Sequence, residues 1–554
     1  MKLRKQTALL LTAAMAASIL AGCGGGEKNS SETTKNDGPA ASGEVVSSED
    51  FFPLKEEINV TIAGVREDGF VPFDQCNMFK ELEKQTNVKV KWLDWPQSQQ
   101  KEKRNLAFAS GTLPDAFYGS WSLDKPDVVK YGAEGMLFRF NDYLNETYMP
   151  NFTRILEACP ELLNALSTPE GDVYALPTLN QNGLPKTNDT LMINTEWLKK
   201  VNKEMPTTTD ELFDVLMAFK EAGDLNGNGK DDEVPLTFKY GENNTGMMSL
   251  LGFTGIVSNS KLSRMAMKDG QPVFAPATDE YKEYLTFLNK LYSNGLLDRE
   301  AFTMDNPAYN AKTQTSTPVA GVLSGWSAEL VNRPIAGNDP AKEGMYAYLA
   351  PVKGDNGKEP VWGMRVNALN ANLSFAISAD SEYAEELVRW IDLAYAKETS
   401  VENYLGKIGV HIQKEEGEGN YSKIMNAEGK EFSNDEKSVE VPNKFAVAWI
   451  LEGDANFVDV IDSPQNKDAA DAFYEPYLEE NYVNDYVMMT EEENERIAFL
   501  TTDLISYVDQ MSAKFITEGN IDAGWDAYIS QLKNLGLDEY VEIKTQIHNR
   551  ATQK

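Results

Sequence analysis

The stretch INVTIAGV at residues 58–65 decides the fold class, because apolar and polar residues alternate along its first half. Alternation with a period of two predicts a β-strand. VKVKWLDW at residues 88–95 repeats the pattern, and AFY at residues 116–118 is a third short apolar segment. Apolar residues at helical spacing lie between these segments, over residues 78–82 and 98–109. The strand–helix order predicts a parallel α/β layer, whose ligands bind beyond the carboxyl ends of the strands.

A second α/β region follows in the middle of the chain. Thr208 and Glu211 form a capping box that predicts the start of a helix. Residues 375–377 predict a buried strand, and the C-terminal third predicts helices near 491–514 and 523–535. The chain has 554 residues, which is too many for one hydrophobic core and predicts more than one domain.

The N-terminus predicts export. A basic head at residues 1–5 is followed by a short apolar run at residues 8–20 and by LAGC, which ends at Cys23 and resembles a bacterial lipobox. We predict a signal peptide over residues 1–22, acylation of Cys23 with palmitate-type chains, and a disordered tether over residues 23–55. The protein would then be held on the extracellular face of the cell membrane.

Composition excludes several classes of function. The net charge of -34 argues against nucleic-acid binding. The chain has two histidines, His411 and His548, and lacks CxxC, HExxH and phosphate-loop motifs. We therefore expect no enzyme activity, although a carboxylate pair for glycoside hydrolysis stays open. Cys76 and Cys159 can pair or stay free.

Six short segments occur along the chain in a distinctive order. They are ASGTLPD (109–115), GDVYALP (171–177), MINTEWL (192–198), PTTTDEL (206–212), GVLSGW (321–326) and WDAY (525–528). Together they resemble the family 1 extracellular solute-binding proteins of ABC transporters, above all the large lipoproteins of the alginate-oligosaccharide-binding type. Each segment is short, so the resemblance depends on the ordered set.

The resemblance implies an α/β fold of the periplasmic-binding-protein type II, with two α/β lobes joined by a hinge and a ligand cleft between them. It places crossovers near residues 175–182 and 368–374. The expected lobes are both discontinuous: lobe 1 comprises residues 56–178 with 372–430, and lobe 2 comprises residues 179–371 with 431–554.

The segment DLNGNGKDDE at residues 224–233 is a calcium candidate. Alternating Asp and Asn side chains can converge on one cation, and Gly229 permits the sharp turn of an EF-hand-type loop. The twelfth position is Pro235 and not the usual Glu, so nearby acidic residues would substitute, as in the calcium loop of the alginate-binding relatives. We expect a structural calcium ion; a plain Asn/Gly turn is the alternative. The expected ligands are Asp224, Asn226, Asn228, Lys230, Asp232 and Glu233.

A sugar cleft needs flat aromatic rings and fixed polar groups. Aromatic residues follow several predicted strands, and the resemblance favours a stacking aromatic at Trp326. For every candidate, core packing or plain surface exposure is the alternative. The expected ligand-binding residues are Trp326, Trp121, Trp362, Tyr118, Arg365, Tyr174 and Asn180.

The resemblance thus implies a membrane-anchored extracellular receptor of an ABC importer. It would capture an oligosaccharide and deliver it to the permease subunits, and we expect it to be a monomer. The alternatives are the same scaffold binding a peptide or another polar solute, an anchored carbohydrate-active enzyme, and a surface adhesin.

Overall fold

The structure is a computed structural model. It describes residues 51–181, 186–187, 190–240, 248–258, 263–328, 331–332, 335, 344–363, 369, 372–458, 467–484 and 486–552. The predicted signal peptide, the lipidation site Cys23, most of the tether and Arg365 lie outside the described residues. Within these ranges no helix combines the length and the apolar character needed to cross a membrane.

The described strands include the three predicted near residues 58–65, 88–95 and 116–118. They are β1 (Ile58–Arg66), β2 (Val88–Pro96), β3 (Ala116–Tyr118), β4 (Leu176–Asn180), β5 (Thr190–Asn194), β6 (Val234–Thr237), β7 (Met265–Lys268), β8 (Gln271–Phe274), β9 (Ala320–Gly325), β10 (Tyr346–Tyr348), β11 (Asn372–Ile377), β12 (Ile412–Lys414), β13 (Asn420–Lys423), β14 (Trp449–Ile450) and β15 (Asn456–Phe457).

Several helices begin at capping boxes, including the predicted one at Thr208 and Glu211. The described α-helices are α1 (Asn77–Thr86), α2 (Gln97–Ser110), α3 (Lys125–Ala133), α4 (Pro150–Ala158), α5 (Glu161–Leu166), α6 (Thr195–Lys200), α7 (Thr209–Ala222), α8 (Asp279–Ser293), α9 (Asn306–Thr313), α10 (Ala384–Asp392), α11 (Lys397–Leu405), α12 (Asn434–Lys437), α13 (Lys467–Tyr474), α14 (Glu491–Glu518), α15 (Ile521–Asn534) and α16 (Leu537–Thr552).

Lobe 1 is built on a six-stranded sheet with the order β14-β4-β11-β3-β1-β2. All neighbours pair in parallel except β11, which runs antiparallel to β3 and to β4. Its core includes Ile62, Phe117 and Phe375, which are fully buried. A small sheet of β12, β13 and β15 is attached to this lobe.

Lobe 2 is built on a separate four-stranded sheet with the order β10-β5-β9-β6. β5 runs antiparallel to both of its neighbours, and β9 runs parallel to β6. Its core includes Ile193, Leu236 and Val322, and α14 and α15 add Leu504 and Tyr528 to it. Two sheets with two separate cores confirm the predicted two-lobed α/β architecture.

The structure differs from the expected lobe boundary at residue 430. β14 completes the first sheet by pairing with β4, and Phe445, Val447 and Trp449 are buried in the core of lobe 1. The chain therefore stays in lobe 1 through β15 and enters lobe 2 only at α13. The cause is a long-range strand pairing, which leaves no local pattern in the sequence.

The C-terminal helices also contact lobe 1. Tyr486 and Val487 form a small apolar cluster with Ala165 of α5 and with Ile547 of α16. The Lys125 ammonium at the start of α3 donates to the Tyr486 carbonyl at 2.5 Å. The two lobes are thus joined by packing as well as by the crossovers.

Glu280 anchors one side of lobe 2, and its replacement by glutamine tests that role. The side chain is 7% exposed and accepts from Lys268 at 2.8 Å and from Lys358 at 2.7 Å. Burial opposes ionisation, yet these two hydrogen bonds outweigh it and lower the pKa of Glu280 to about 2. We expect E280Q to lower the free energy of unfolding at pH 7 by about 2 kcal/mol, since both lysines are partly exposed.

The direction of the pKa shift decides at which pH Glu280 stabilises the fold. The folded pKa of Glu280 lies below its ordinary value of 4.5, so the contribution is present above about pH 4.5 and is lost as the pH falls toward 2. Urea unfolding at pH 7 and pH 3 should show a smaller difference between E280Q and the parent at pH 3. E359Q is the control, because it removes an ion pair with Lys353 whose carboxylate is 83% exposed. An equal loss in the free energy of unfolding of E359Q would contradict the proposed role of Glu280.

Candidate ligand-binding site

The chain passes between the two sheets at one edge of each sheet. It leaves lobe 1 after β4, returns before β11, and leaves again after β14 and β15 on the way to α13. Because β11 is antiparallel to β4, its start lies at the same edge as the ends of β4 and β14. We call this the interlobe edge of lobe 1. It carries the carboxyl ends of all the parallel strands of that sheet.

The position of the corresponding edge of lobe 2 is given by β5, the strand that the crossover enters. The crossover enters β5 at Thr190, and the antiparallel strand β9 ends opposite it, with Thr190 paired to Gly325. The Thr190 hydroxyl donates to the Gly325 carbonyl at 2.7 Å. Trp326 therefore leaves the sheet at the edge where the crossover enters it, and it is half-buried there.

Trp121 lies at the interlobe edge of lobe 1, in the turn after β3. Its side chain is 37% exposed, and its ring meets Phe445 edge-on with a centroid distance of 5.4 Å. Its backbone φ is 63°, a region that bulky residues avoid. Strain of this kind is concentrated at functional sites. An exposed ring held by a strained backbone is suited to stacking on a flat ligand.

Asn180 ends β4 at the same edge. Its side-chain oxygen is buried and has no hydrogen-bond partner within the described part of the chain. Its neighbour Gln181 accepts the N–H of Glu452 at 3.1 Å, so that side chain is already engaged. A buried oxygen without a donor is costly, and a ligand hydroxyl would remove the cost.

Tyr118 and Trp362 lie in the two cores and not at an open surface. Tyr118 is 1% exposed, and its hydroxyl accepts the N–H of Val447 at 3.0 Å. Trp362 is 2% exposed and stacks on Tyr474 with a centroid distance of 5.0 Å. The structure therefore contradicts the sequence-based prediction that these two residues contact ligand. Core packing, the alternative, accounts for both.

Tyr174 is displaced from the predicted site for a topological reason. It precedes β4, so it lies at the edge opposite the interlobe edge, while Asn180 ends the same strand. Its hydroxyl donates to the Asp172 carboxylate at 3.3 Å, and its ring packs on Gly132, where a Cβ would lie 2.4 Å away. The prediction for Tyr174 is corrected accordingly, and Arg365 lies outside the described residues.

A cavity that no sequence pattern indicated lies at the outer end of the interlobe edge. Its volume is about 200 Å³, and it lies beside the ends of β1 and β2. Asp94 lines it and holds Arg66 through two hydrogen bonds of 2.7 and 2.9 Å. Gly64 and Asp94 lie near the ends of predicted strands, and this position could have marked them as candidates. The lining residues are Gly64, Pro72, Phe73, Asp74, Gln75, Trp92, Leu93 and Asp94.

A larger cavity of about 490 Å³ lies elsewhere on lobe 1. Gly111 to Asp115, just before β3, line it together with Ser378, just after β11. Those positions belong to the edge opposite the interlobe edge. The larger cavity is therefore separate from the residues that converge between the lobes.

A further aromatic side chain, which no sequence pattern indicated, lies near this edge of lobe 2. Phe473 of α13 is 38% exposed and packs 5.8 Å from Tyr348, which ends β10. Because β10 is antiparallel to β5, its end lies at the edge that faces the crossover. Phe473 thus borders the same region as Trp326.

The predicted calcium loop connects α7 to β6 and folds back on itself. The Asp224 carboxylate accepts the N–H groups of Asn228 and Gly229 at 3.0 and 2.9 Å. The side-chain amides of Asn226 and Asn228 both donate to Asp232, the shortest contacts being 3.1 Å. Gly227 and Gly229 have φ of 75° and 80°, which permits the tight turn.

The donor set of this loop fits a hard cation. One oxygen of the Glu233 carboxylate is buried without a hydrogen-bond partner in the described structure, while the other accepts the N–H of Asn226 at 3.0 Å. Lys230 donates its N–H to the Asn228 side-chain oxygen at 2.8 Å, which orients that oxygen. No described cluster of three or more His, Cys, Asp or Glu side chains could hold a metal, so the amide oxygens of the two asparagines would have to contribute. Calcium accepts such mixed oxygen ligands.

Both histidines and both remaining cysteines have structural surroundings. The Nδ1 of His411 accepts the N–H of Lys407 at 3.1 Å, and that of His548 accepts the N–H of Asn484 at 3.0 Å. Burial lowers the pKa of both imidazoles. Cys76 and Cys159 are both free thiols, which answers the pairing question left open by the sequence.

Comparison with known proteins identifies the chain's relatives. Residues 77–410 match the profile of the family described as bacterial extracellular solute-binding proteins. The fructooligosaccharide ABC transporter substrate-binding protein FusA of Streptococcus pneumoniae serotype 4 is 31% identical over 559 residues, which cover 98% of each chain.

Solved structures agree with the fold. The Streptococcus pneumoniae FusA EF-hand mutant in complex with fructo-nystose matches with a TM-score of 0.72 and 28% identity, covering 89% of this chain and 99% of that one. Alginate-binding AlgQ2 without calcium ion matches with a TM-score of 0.65 and 20% identity, covering 92% and 100%. These likenesses confirm the predicted type II fold with two lobes.

Proposed function

The chain belongs to the bacterial extracellular solute-binding proteins, and from that premise we propose that it is the receptor of an ABC importer and captures an oligosaccharide between its lobes. The observation that supports this proposal is that each lobe carries a tryptophan at the edge where the chain crosses between the lobes. Trp121 follows β3 of lobe 1 in a strained, exposed turn, and Trp326 leaves β9 of lobe 2 where the crossover enters.

The chemistry of these two edges suits a sugar. A pyranose or furanose ring presents C–H faces that stack on aromatic rings and hydroxyls that need fixed polar partners. The two tryptophans would supply the flat surfaces, and Phe473 would extend them. Asn180 would accept a hydrogen bond from a ligand hydroxyl, because its buried side-chain oxygen has no donor in the described structure.

Fructooligosaccharides are the ligands to test first. The relative at 31% identity is named for them, and the net charge of -34 disfavours a polyanionic chain. Ligand contacts to both lobes would favour a closed conformation, which the permease subunits would recognise. Capture and delivery need no covalent chemistry, and we propose that the protein is not an enzyme.

The N-terminal sequence supports a location at the cell surface. Acylation of Cys23, followed by a polar tether, would hold the two lobes outside the membrane. In that arrangement, the receptor stays near the permease as a monomer. Metabolic labelling with palmitate, which a C23S variant should abolish, tests the anchor directly.

Calcium would have a structural part in this receptor. The loop at residues 224–233 joins α7 to β6, the strand that pairs with β9 before Trp326. A bound ion would fix that connection through Asp224, Asn226, Asn228, Lys230, Asp232 and Glu233. The EF-hand mutant of FusA and the calcium-free form of AlgQ2 support a calcium site in relatives.

A thermal-shift screen with kestose, nystose, alginate oligosaccharides and short peptides tests the proposed ligand. A ligand present at one hundred times its Kd should raise the free energy of unfolding by about 2.7 kcal/mol. We expect the fructooligosaccharides to raise Tm and the peptides to leave it unchanged. A shift with peptides alone would contradict the proposal, and release of shorter sugars on incubation would show an enzyme instead.

A further inference from the structure

Trp121 keeps its conformation against a backbone penalty. A non-glycine residue with positive φ costs about 1–3 kcal/mol and persists only where surrounding contacts hold it. The φ of Trp121 is 63°, yet its ring is 37% exposed. The ring itself is therefore too lightly packed to impose this backbone, and the holding contacts must come from its neighbours in the turn.

The turn before Trp121 is fixed by close backbone approaches. Gly119 has a φ of 110°, and a Cβ there would lie 2.3 Å from the carbonyl oxygen of Val65. The Ser120 hydroxyl donates to the Lys444 carbonyl at 2.8 Å. These contacts hold the chain as it enters the turn, beside Phe445, on which the Trp121 ring packs.

The turn around Trp121 is closed by the Ser122 N–H, which donates to the Gly119 carbonyl at 3.0 Å. A buried arginine braces the residues that follow it. Arg104 of α2 is 2% exposed and donates to the Ser122 carbonyl at 3.4 Å. Its guanidinium also lies 2.5 Å from the Asp124 carboxylate and 3.0 Å from that of Asp127. Asp124 is the N-cap of α3, so the same group fixes both the turn and the start of the next helix.

We propose, building on the proposed oligosaccharide function, that Arg104 is a positioning residue for ligand binding. It does not touch the ligand. It holds residues 122–124 against α2, so that Trp121 keeps its strained backbone and presents its ring before the ligand arrives. Such preorganisation strengthens binding, because the ordering cost is met during folding.

The geometry of the contacts requires arginine at this position. One planar guanidinium reaches a backbone carbonyl and two carboxylates from within the lobe, which a lysine ammonium, as a compact point charge, does not reproduce. R104K keeps the positive charge, so it serves as the second variant if R104M does not fold. Both variants should lose part of the preorganisation.

A double-mutant cycle tests the inference with kestose as the probe. We expect R104M to raise the Kd measured by calorimetry by about tenfold, and the same change in a W121A background to raise it by less than about twofold. Non-additivity of this kind means that Arg104 acts through Trp121. Equal effects in both backgrounds, or no effect in either, would overturn the proposal.

Arg389 provides a matched control. It is 1% exposed, lies in lobe 1 on α10, and binds the Thr147 carbonyl at 2.9 Å and Glu385 at 3.3 Å. α10 follows β11, whose end lies at the edge away from the cleft. R389M should lower the free energy of unfolding as R104M does, while leaving the Kd for kestose within about twofold of the parent.

A readout without ligand separates this inference from the proposed function. The chain has nine tryptophans, so 5-fluorotryptophan labelling should give nine fluorine NMR resonances, with that of Trp121 assigned by W121F. R104M should shift or broaden the Trp121 resonance, and R389M should leave it in place. An unchanged Trp121 resonance in R104M would overturn the positioning role, whereas a parent protein that binds no oligosaccharide would overturn only the proposed function.

Discussion

Replacing Trp326 or Trp121 with alanine is expected to raise the Kd for the bound oligosaccharide by about 10- to 100-fold. Desolvated tryptophans at the centre of a binding interface commonly supply about 2 kcal/mol or more of binding free energy, and we expect the same order for a ring stacked on a sugar. Each ring stands at the edge of a different lobe, so each substitution removes one side of the contact. Isothermal titration calorimetry with kestose or nystose measures the change directly.

The conservative variants W121F and W326F should retain part of the affinity, because phenylalanine keeps a flat face. Phe499 provides a control, since it is 65% exposed on α14 and its ring lies 5.0 Å from the Arg496 guanidinium. F499A should leave the Kd unchanged. If W121A and W326A bind as tightly as the parent, the ligand does not lie between these two edges.

Calcium is expected to raise the free energy of unfolding by about 2.7 kcal/mol when its concentration is one hundred times its Kd. D232N should remove most of this gain, because Asp232 is the carboxylate toward which the amides of Asn226 and Asn228 converge. Urea unfolding in calcium and in EDTA, for the parent and for D232N, measures the difference. The calcium-free stability of D232N should change much less.

Asp231 provides the matched control for this experiment. It is the exposed neighbour of Asp232 in the same loop and lies outside the proposed set of ligands. D231N should keep the calcium-dependent gain in stability. The calcium proposal would be wrong if D231N and D232N behaved alike, or if millimolar calcium left the parent's unfolding curve unchanged.

Local patterns predicted the parts of the fold that depend on short-range contacts. The alternation in β1 and β2, the capping box at the start of α7, and the loop at residues 224–233 all involve residues within a few positions of one another. The position of Trp121 and Trp326 was also predictable, because each follows a short apolar segment that predicts a strand. Both are ligand candidates because ligands in α/β layers bind beyond strand ends.

Side-chain burial could not be predicted in the same way. Tyr118 and Trp121 are three residues apart, yet the first is buried in the core and the second is exposed. The difference arises because Val447, 329 residues further along the chain, donates to the Tyr118 hydroxyl, whereas the turn after β3 directs Trp121 away from the sheet. Trp362 is buried by Tyr474 in the same long-range manner.

The sequence by itself determined the class of layers, the order of the main elements, the calcium candidate and the family. Only the tertiary structure decided that residues 449–450 complete the first sheet, that Asn180 holds a buried oxygen without a donor in the described structure, and that Arg104 contacts the turn of Trp121. The physical reason is range. Periodicity and capping act over one or two turns of chain, whereas burial, strain and strand pairing depend on segments brought together only by folding.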